Sequence, residues 1–136
     1  PWRRLKQYYY LSNHRAMRHK VRKHLKFKKK SFQHRKAMQR NLLTSFFLHK
    51  GITTTEKKAK SIVPMIDKLI NTVNSKDEMN AIRYSMEYLF TEESSKELFQ
   101  HVAPKYKGKK SSGFTKIIPI KHRDGDCAKL VALKLV

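Results

Sequence analysis

The sequence predicts an α+β fold of two layers, ordered helix, strand, three helices and β-hairpin, with a basic N-terminal extension ahead of it. Three observations carry that expectation. Ala59, Ile62, Val63, Ile66, Leu69, Ile70 and Val73 recur at helical spacing within Glu56–Asn74, which makes one long amphipathic helix. Val131, Leu133 and Leu135 alternate with Leu130, Ala132 and Lys134, and the turn pair Asp124-Gly125 separates that run from an isoleucine-rich one, which makes a hairpin. Ile52-Thr53-Thr54 supplies a short third strand; two strands alone are marginal in water, so the helices must cover one face of the sheet. The resulting division is a basic extended arm over 1–30 and one α+β domain over 31–136.

Charge divides the chain in the same way. Lys and Arg total 32 against 10 Asp and Glu, a formal net charge of +22. So large an excess repels itself and favours a polyanion as partner. The arm and first helix carry it: no acid precedes Glu56, and Pro1–Lys50 holds 16 of the cations and five of the seven histidines. An anionic membrane would also attract such a segment. The extent of the cationic stretch, and the lack of any long apolar run, favour nucleic acid and argue against a membrane span. The single cysteine, Cys127, excludes a disulfide framework within the chain and a cysteine-rich zinc site.

The arm opens with Pro1–Ala16, which has Arg3, Arg4, Lys6 and Arg15, no acid, and the aromatic residues Trp2 and Tyr8–Tyr10. These rings could stack on bases or lie idle in a solvated end. A start at proline suggests processing or truncation, and the arginine-bearing, acid-free character suits the remnant of an organellar targeting segment, although serine is sparse. Met17–Lys30 has no period that buries a face, so we expect it to be disordered alone and ordered by a partner that offsets about 1–2 kcal/mol per residue. Leu25 and Phe27 are its anchors, against the body or against bases. His14, His19, His24 and His34 lack metal-ligand spacing, and no metal is expected.

In the domain, Ser31 is the expected N-cap of a helix whose Arg35, Lys36 and Arg40 face outward while Met38, Leu42, Leu43, Phe46 and Phe47 face inward. Gly51 should stop it in the left-handed conformation. Thr54 or Thr55 caps the second helix, where Pro64 should produce a kink or divide the element at Val63; Lys57, Lys58, Lys60 and Lys68 lie outside its apolar stripe. Asp77 caps Glu78–Phe90, with Ala81, Ile82, Met86 and Leu89 inward. Thr91 caps a fourth helix with Glu92 and Glu93 at its positive end, Leu98, Phe99, Val102 and Ala103 on its buried face, and Pro104 near its end. Tyr106–Gly113 reads as a lysine-rich loop, Phe114–Arg123 as a strand that Pro119 assigns to an edge or bulge, and Ala128–Val136 as the return strand.

No catalytic set emerges. Asp124 and Asp126 suit a turn, Cys127 has no fixed histidine partner, and no Walker loop, GxGxxG or HExxH occurs. The expectation is no enzyme, no cofactor and no small-molecule substrate.

Several motifs combine. The run His34-Arg35-Lys36-Ala37-Met38-Gln39-Arg40-Asn41-Leu42, then Gly51-Ile52-Thr53-Thr54 and Lys58-Ala59-Lys60, resembles the bacterial-type large-subunit ribosomal protein seventeen family. Met17-Arg18-His19, Leu98-Phe99, Ala103-Pro104 with Tyr106, Gly113-Phe114-Thr115-Lys116-Ile117 and Arg123 with Gly125-Asp126 extend the likeness over about Met17 to Val136. The resemblance implies an α+β two-layer fold and a structural constituent of the large ribosomal subunit, bound to its rRNA near the peptide exit region and to neighbouring large-subunit proteins. Phe32 and Gln33 replace two serines usual in the family, Ser112 a glycine and Phe114 a tyrosine, and the arm between Met17 and His34 is slightly longer. These departures bear on RNA contacts rather than fold. The residues before Met17 have no family counterpart, and with their acid-free character they point to a mitochondrial ribosome ahead of a bacterial or plastid one. The expected phosphate contacts are Arg18, Lys20, Arg22, Lys23, Lys28, Lys29, Lys30, His34, Arg35, Lys36, Arg40, Lys60, Lys109, Lys110, Lys116 and Arg123. Two other functions fit the charge: a free-standing protein that compacts DNA or RNA, and an RNA-processing enzyme.

Overall fold

The computed structural model describes Phe27 and residues 31–136. Helix α1, Phe32–His49, begins as its sequence dictates: the Ser31 hydroxyl accepts from the His34 amide at 3.3 Å, satisfying one of the donors a helix start leaves unpaired. Its stop differs from expectation. Lys50, not Gly51, takes the left-handed conformation at φ 58°. Gly51 instead opens strand β1, Gly51–Thr55, where a Cβ would lie 3.1 Å from the Leu133 carbonyl oxygen. Close backbone approach, not turn geometry, favours glycine there.

Helix α2, Glu56–Ser75, runs as one 20-residue element through an exposed Pro64, so the division at Val63 does not occur. Its stripe of Ala59, Ile62, Ile66, Leu69, Ile70 and Val73 is buried, and Val63 is half-buried. Helix α3, Glu78–Tyr88, ends sooner than expected, at an extended Leu89 whose amide donates to the Ser85 carbonyl. Asp77 and Thr55 occupy N-cap positions without side-chain capping bonds. On α3 the inward set is Ala81, Ser85 and Leu89, and Met86 points to solvent. The reason is that Ser85 finds partners inside: its hydroxyl donates to the Ile82 carbonyl at 2.8 Å and pairs with the Ser95 hydroxyl at 2.7 Å.

The fourth expected helix is composite. Helix α4, Glu92–Glu97, passes into a wide turn over Leu98–Val102, in which the Ala103 amide reaches back to the Leu98 carbonyl, and then into α5, Ala103–Tyr106. Pro104 thus sits in the first turn of α5, where a missing N–H costs little. Tyr106 is no loop residue. It is buried, its ring lies 5.0 Å from that of Phe114, and its hydroxyl bonds to the Val136 carbonyl.

Strands β2, Thr115–His122, and β3, Lys129–Leu135, complete an antiparallel sheet in the order β1-β3-β2. β2 is an edge strand, and its register shifts between Pro119 and Lys121, as a proline without a ladder donor requires. In the hairpin turn the left-handed residue is Cys127, at φ 50°, rather than Gly125. Val131 and Leu133 face the helices, and the core joins them to Leu43, Phe46 and Phe47 of α1, the α2 stripe, Leu98, Val102 and Phe114. On the other face Lys116, Ile118 and Lys134 are exposed.

Candidate nucleic-acid interface

On α1 the first fully buried residue is Leu43; in the first two turns Phe32, Gln33, His34, Lys36 and Ala37 are exposed, and Arg35, Met38 and Gln39 are half-buried. These turns carry His34, Arg35 and Lys36, and Phe32 at the tip is 71% exposed. Phe27 is half-buried, its ring 5.0 Å from the Lys57 ammonium at the start of α2.

A second group gathers at one end of the sheet. The Val136 amide donates to the Phe114 carbonyl at 3.0 Å, and Lys105 Nζ donates to the Val136 carbonyl at 3.1 Å. The loop after α5 is therefore pinned beside the start of β2 and the end of β3. Asn71 Nδ2 donates to the Ser111 carbonyl at 2.7 Å, and Asp67 accepts from the Gly113 and Phe114 amides at 3.3 and 3.4 Å. Gly108 and Gly113 supply the left-handed turns, at φ 75° and 72°. The loop presents Lys107, Lys109 and Lys110 from that fixed frame. Lys116 lies directly across from Lys134 on the face away from the helices, and Lys134 lies across from Gly51 on its other side. Like charges so placed repel unless an anion sits between them. Among the described residues none of Lys105, Lys107, Lys109, Lys110, Lys116 and Lys134 forms an ion pair with a carboxylate.

Three expected contacts have other work. Arg40 does not face outward: its guanidinium lies 3.9 Å over the Phe90 ring and donates to the Met86 and Leu89 carbonyls, both at 3.4 Å. Thr44, one turn on, accepts from the Phe90 amide at 3.1 Å, so this face of α1 holds the α3–α4 connection. Lys60 is exposed but bonded to Glu56, and that bond holds the Glu56 carboxyl below its ordinary range. Arg123 grips Asp126 with two bonds, at 2.8 and 2.6 Å. That hydrogen-bonded fork, with the Ala128 amide, lowers the Asp126 carboxyl to about 2. Arg18, Lys20, Arg22, Lys23, Lys28, Lys29 and Lys30 lie outside the described residues, as do Leu25, Trp2 and Tyr8–Tyr10. Lys57, Lys105, Lys107 and Lys134 were missing from the expected set. The outward position of Lys134 in an alternating strand was the available signal; its cross-strand partner was not readable before the register was known.

Six of the ten acids lie apart from these cations in the sequence. Residues 77–97 contain Asp77, Glu78, Glu87, Glu92, Glu93 and Glu97 against Arg83 and Lys96 alone. Among the described residues no cluster of three His, Cys, Asp or Glu could hold a metal ion, and no helix is long and apolar enough to cross a membrane.

Comparison with known proteins gives a consistent match. The profile of the family described as ribosomal protein L17 matches residues 38–136. Large ribosomal subunit protein bL17 of Desulforamulus reducens is 42% identical over 103 residues, which cover 76% of this chain and 90% of that protein. The protein of the same description from Desulforudis audaxviator aligns with the same identity and coverage. That of Geobacter sulfurreducens is 40% identical over 103 residues, 76% of this chain and 58% of its own.

Proposed function

The chain belongs to the ribosomal protein L17 family, and from that premise we propose that it binds and stabilises large-subunit rRNA near the peptide exit region. Its role is structural, as a large-subunit ribosomal protein, and it is not an enzyme. One observation carries the RNA reading: cations without carboxylate partners among the described residues collect at the start of α1 and on the Lys105–Lys116 and Lys134 end, while six of the ten acids lie in residues 77–97. Phosphate contacts at two separated places would fix the body's orientation as well as its affinity. The position near the peptide exit and the neighbouring large-subunit proteins come from the family resemblance. We keep the basic arm over 1–30 as a separate RNA-following element, with Phe27 as its anchor on the domain.

For the location we propose a mitochondrial ribosome, supported by the acid-free first sixteen residues. The matched relatives are bacterial, and a bacterial ribosome is the alternative. Fractionation of the source cells separates the two. The RNA reading is tested by ultraviolet crosslinking in assembled large subunits. Crosslinked nucleotides should map to peptides containing His34–Lys36 and Lys105–Lys116; their confinement to residues 77–97 would refute it.

A further inference from the structure

The α3–α4 face has properties opposite to those of the RNA-facing ends. Met79, Met86 and Phe90 are 66%, 61% and 50% exposed, three of the seven large apolar residues left in solvent among those described. Met79, Ile82 and Met86 share one side of α3 at helical spacing, away from the buried Ala81 and Ser85. Beside them runs a groove of about 420 Å³, walled by Ile82, Met86, Leu89, Phe90 and Phe99. It has room for a few aliphatic side chains, and methionine lining adapts to what enters. Phe90 is held in place from behind by the Arg40 guanidinium, so the groove's wall is preformed.

The segment that carries the groove is unlike the rest of the chain in charge. Of the groove's two lining cations, Lys96 is held by Glu92 at 3.0 Å, and Arg40 is committed to two carbonyls and the Phe90 ring. Asp77, Glu78, Glu87 and Glu93 take no ion-pair partner among the described residues. Glu78, at the groove itself, is left unpaired among the described residues, and the segment that carries the groove, residues 77–97, holds six carboxylates against two cations in a chain of net +22, an excess that disfavours a phosphate backbone. That excess would attract a basic polypeptide and steer it onto the groove.

We propose that this groove docks an amphipathic basic segment of another protein, with aliphatic side chains between α3 and α4 and lysine or arginine against Glu78 and its neighbouring carboxylates. The inference rests on the exposure and charge of this face and stands independently of the RNA reading. The test uses the full chain with methyl-labelled methionine and a synthetic leucine–lysine amphipathic helix as probe. The probe should shift the Met79 and Met86 methyl signals and leave Met65 unmoved. Met86→Lys, at an exposed position that leaves the fold intact, should weaken binding at least tenfold. Equal binding of the leucine–glutamate counterpart, or an unchanged affinity in Met86→Lys, would overturn the proposal. So would displacement of the same methyl signals by poly(U), which would make this an RNA face. Signals that change on dilution would assign the groove to a second copy, and signals that move when residues 1–26 are removed would assign it to the chain's own arm; either result also overturns it.

Discussion

Arg40→Ala separates a structural cation from an RNA contact. The guanidinium stacks 3.9 Å over Phe90 and donates two bonds of 3.4 Å to the Met86 and Leu89 carbonyls. A cation–π contact of this kind contributes about 0.5–1 kcal/mol. Long charge-assisted bonds to two carbonyls that end a helix add about 1 kcal/mol more. The Nε of Arg40 is buried without a partner among the described groups, which subtracts from that gain. The net loss in Arg40→Ala should be about 1.5 kcal/mol, or about 7 °C in Tm for a folded body of this size. Arg40→Lys should recover only part of it, because an ammonium neither stacks as a plane nor reaches two carbonyls in a fixed fork. Thermal unfolding followed by circular dichroism measures the loss, and RNA affinity well below the transition provides the control. A Tm equal to wild type together with weakened RNA binding would refute this role and return Arg40 to the phosphate-contacting set. Arg35→Ala, in the first turns of α1, should show the reverse pattern.

The other predictions concern the sheet and its turn. RNA affinity should fall steeply with salt, each phosphate contact contributing about 0.7–0.9 to the slope of log K against log salt. The double substitution Lys116→Ala, Lys134→Ala should flatten that slope by about 1.5; an unchanged slope would remove the cross-strand pair from the interface. The Asp126 carboxyl should titrate near pH 2 by NMR, and Arg123→Ala should return it to the ordinary carboxylate range. Since the folded value lies below the unfolded one, its stabilisation of the turn is present at neutral pH and fades as pH falls through about 4 toward 2, where loss of amide protection at Ala128 reports it. In Gly51→Ala the new methyl meets the Leu133 carbonyl at 3.1 Å across the β1–β3 ladder, so the strands must part by a few tenths of an ångström and Tm should fall. A wild-type Tm in that variant would show that the strands part at no cost.

The elements were legible where periodicity and punctuation agreed. The α2 stripe, the Ser31 cap, the short strand after α1 and Pro119 on an edge strand are all present in the structure. The rule that apolar residues face inward failed at Met86, because Ser85 reaches Ser95 and a carbonyl while a methionine can remain exposed at small cost. Gly51 was correctly marked as special, but for the wrong cause: a carbonyl on a strand more than eighty residues away is invisible to local turn rules. Tyr106 looked like loop sequence because its lysine neighbours are solvated, yet its ring meets Phe114. The candidate interface was legible as charge but not as geometry. Nothing in the residue order distinguishes Arg35, half-buried in the first turns of α1, from Arg40, just over one turn later and turned onto Phe90. Nor does it join Lys116 to Lys134, since register alone sets that pair.

Sucrose-gradient sedimentation of lysates at high magnesium, with the chain followed by antibody, bears most directly on its proposed place in an RNA assembly. The protein should travel with the large ribosomal subunit and leave it only as salt is raised far enough to displace phosphate contacts. Its recovery at the top of the gradient, or with DNA and apart from the large subunit, would contradict the account.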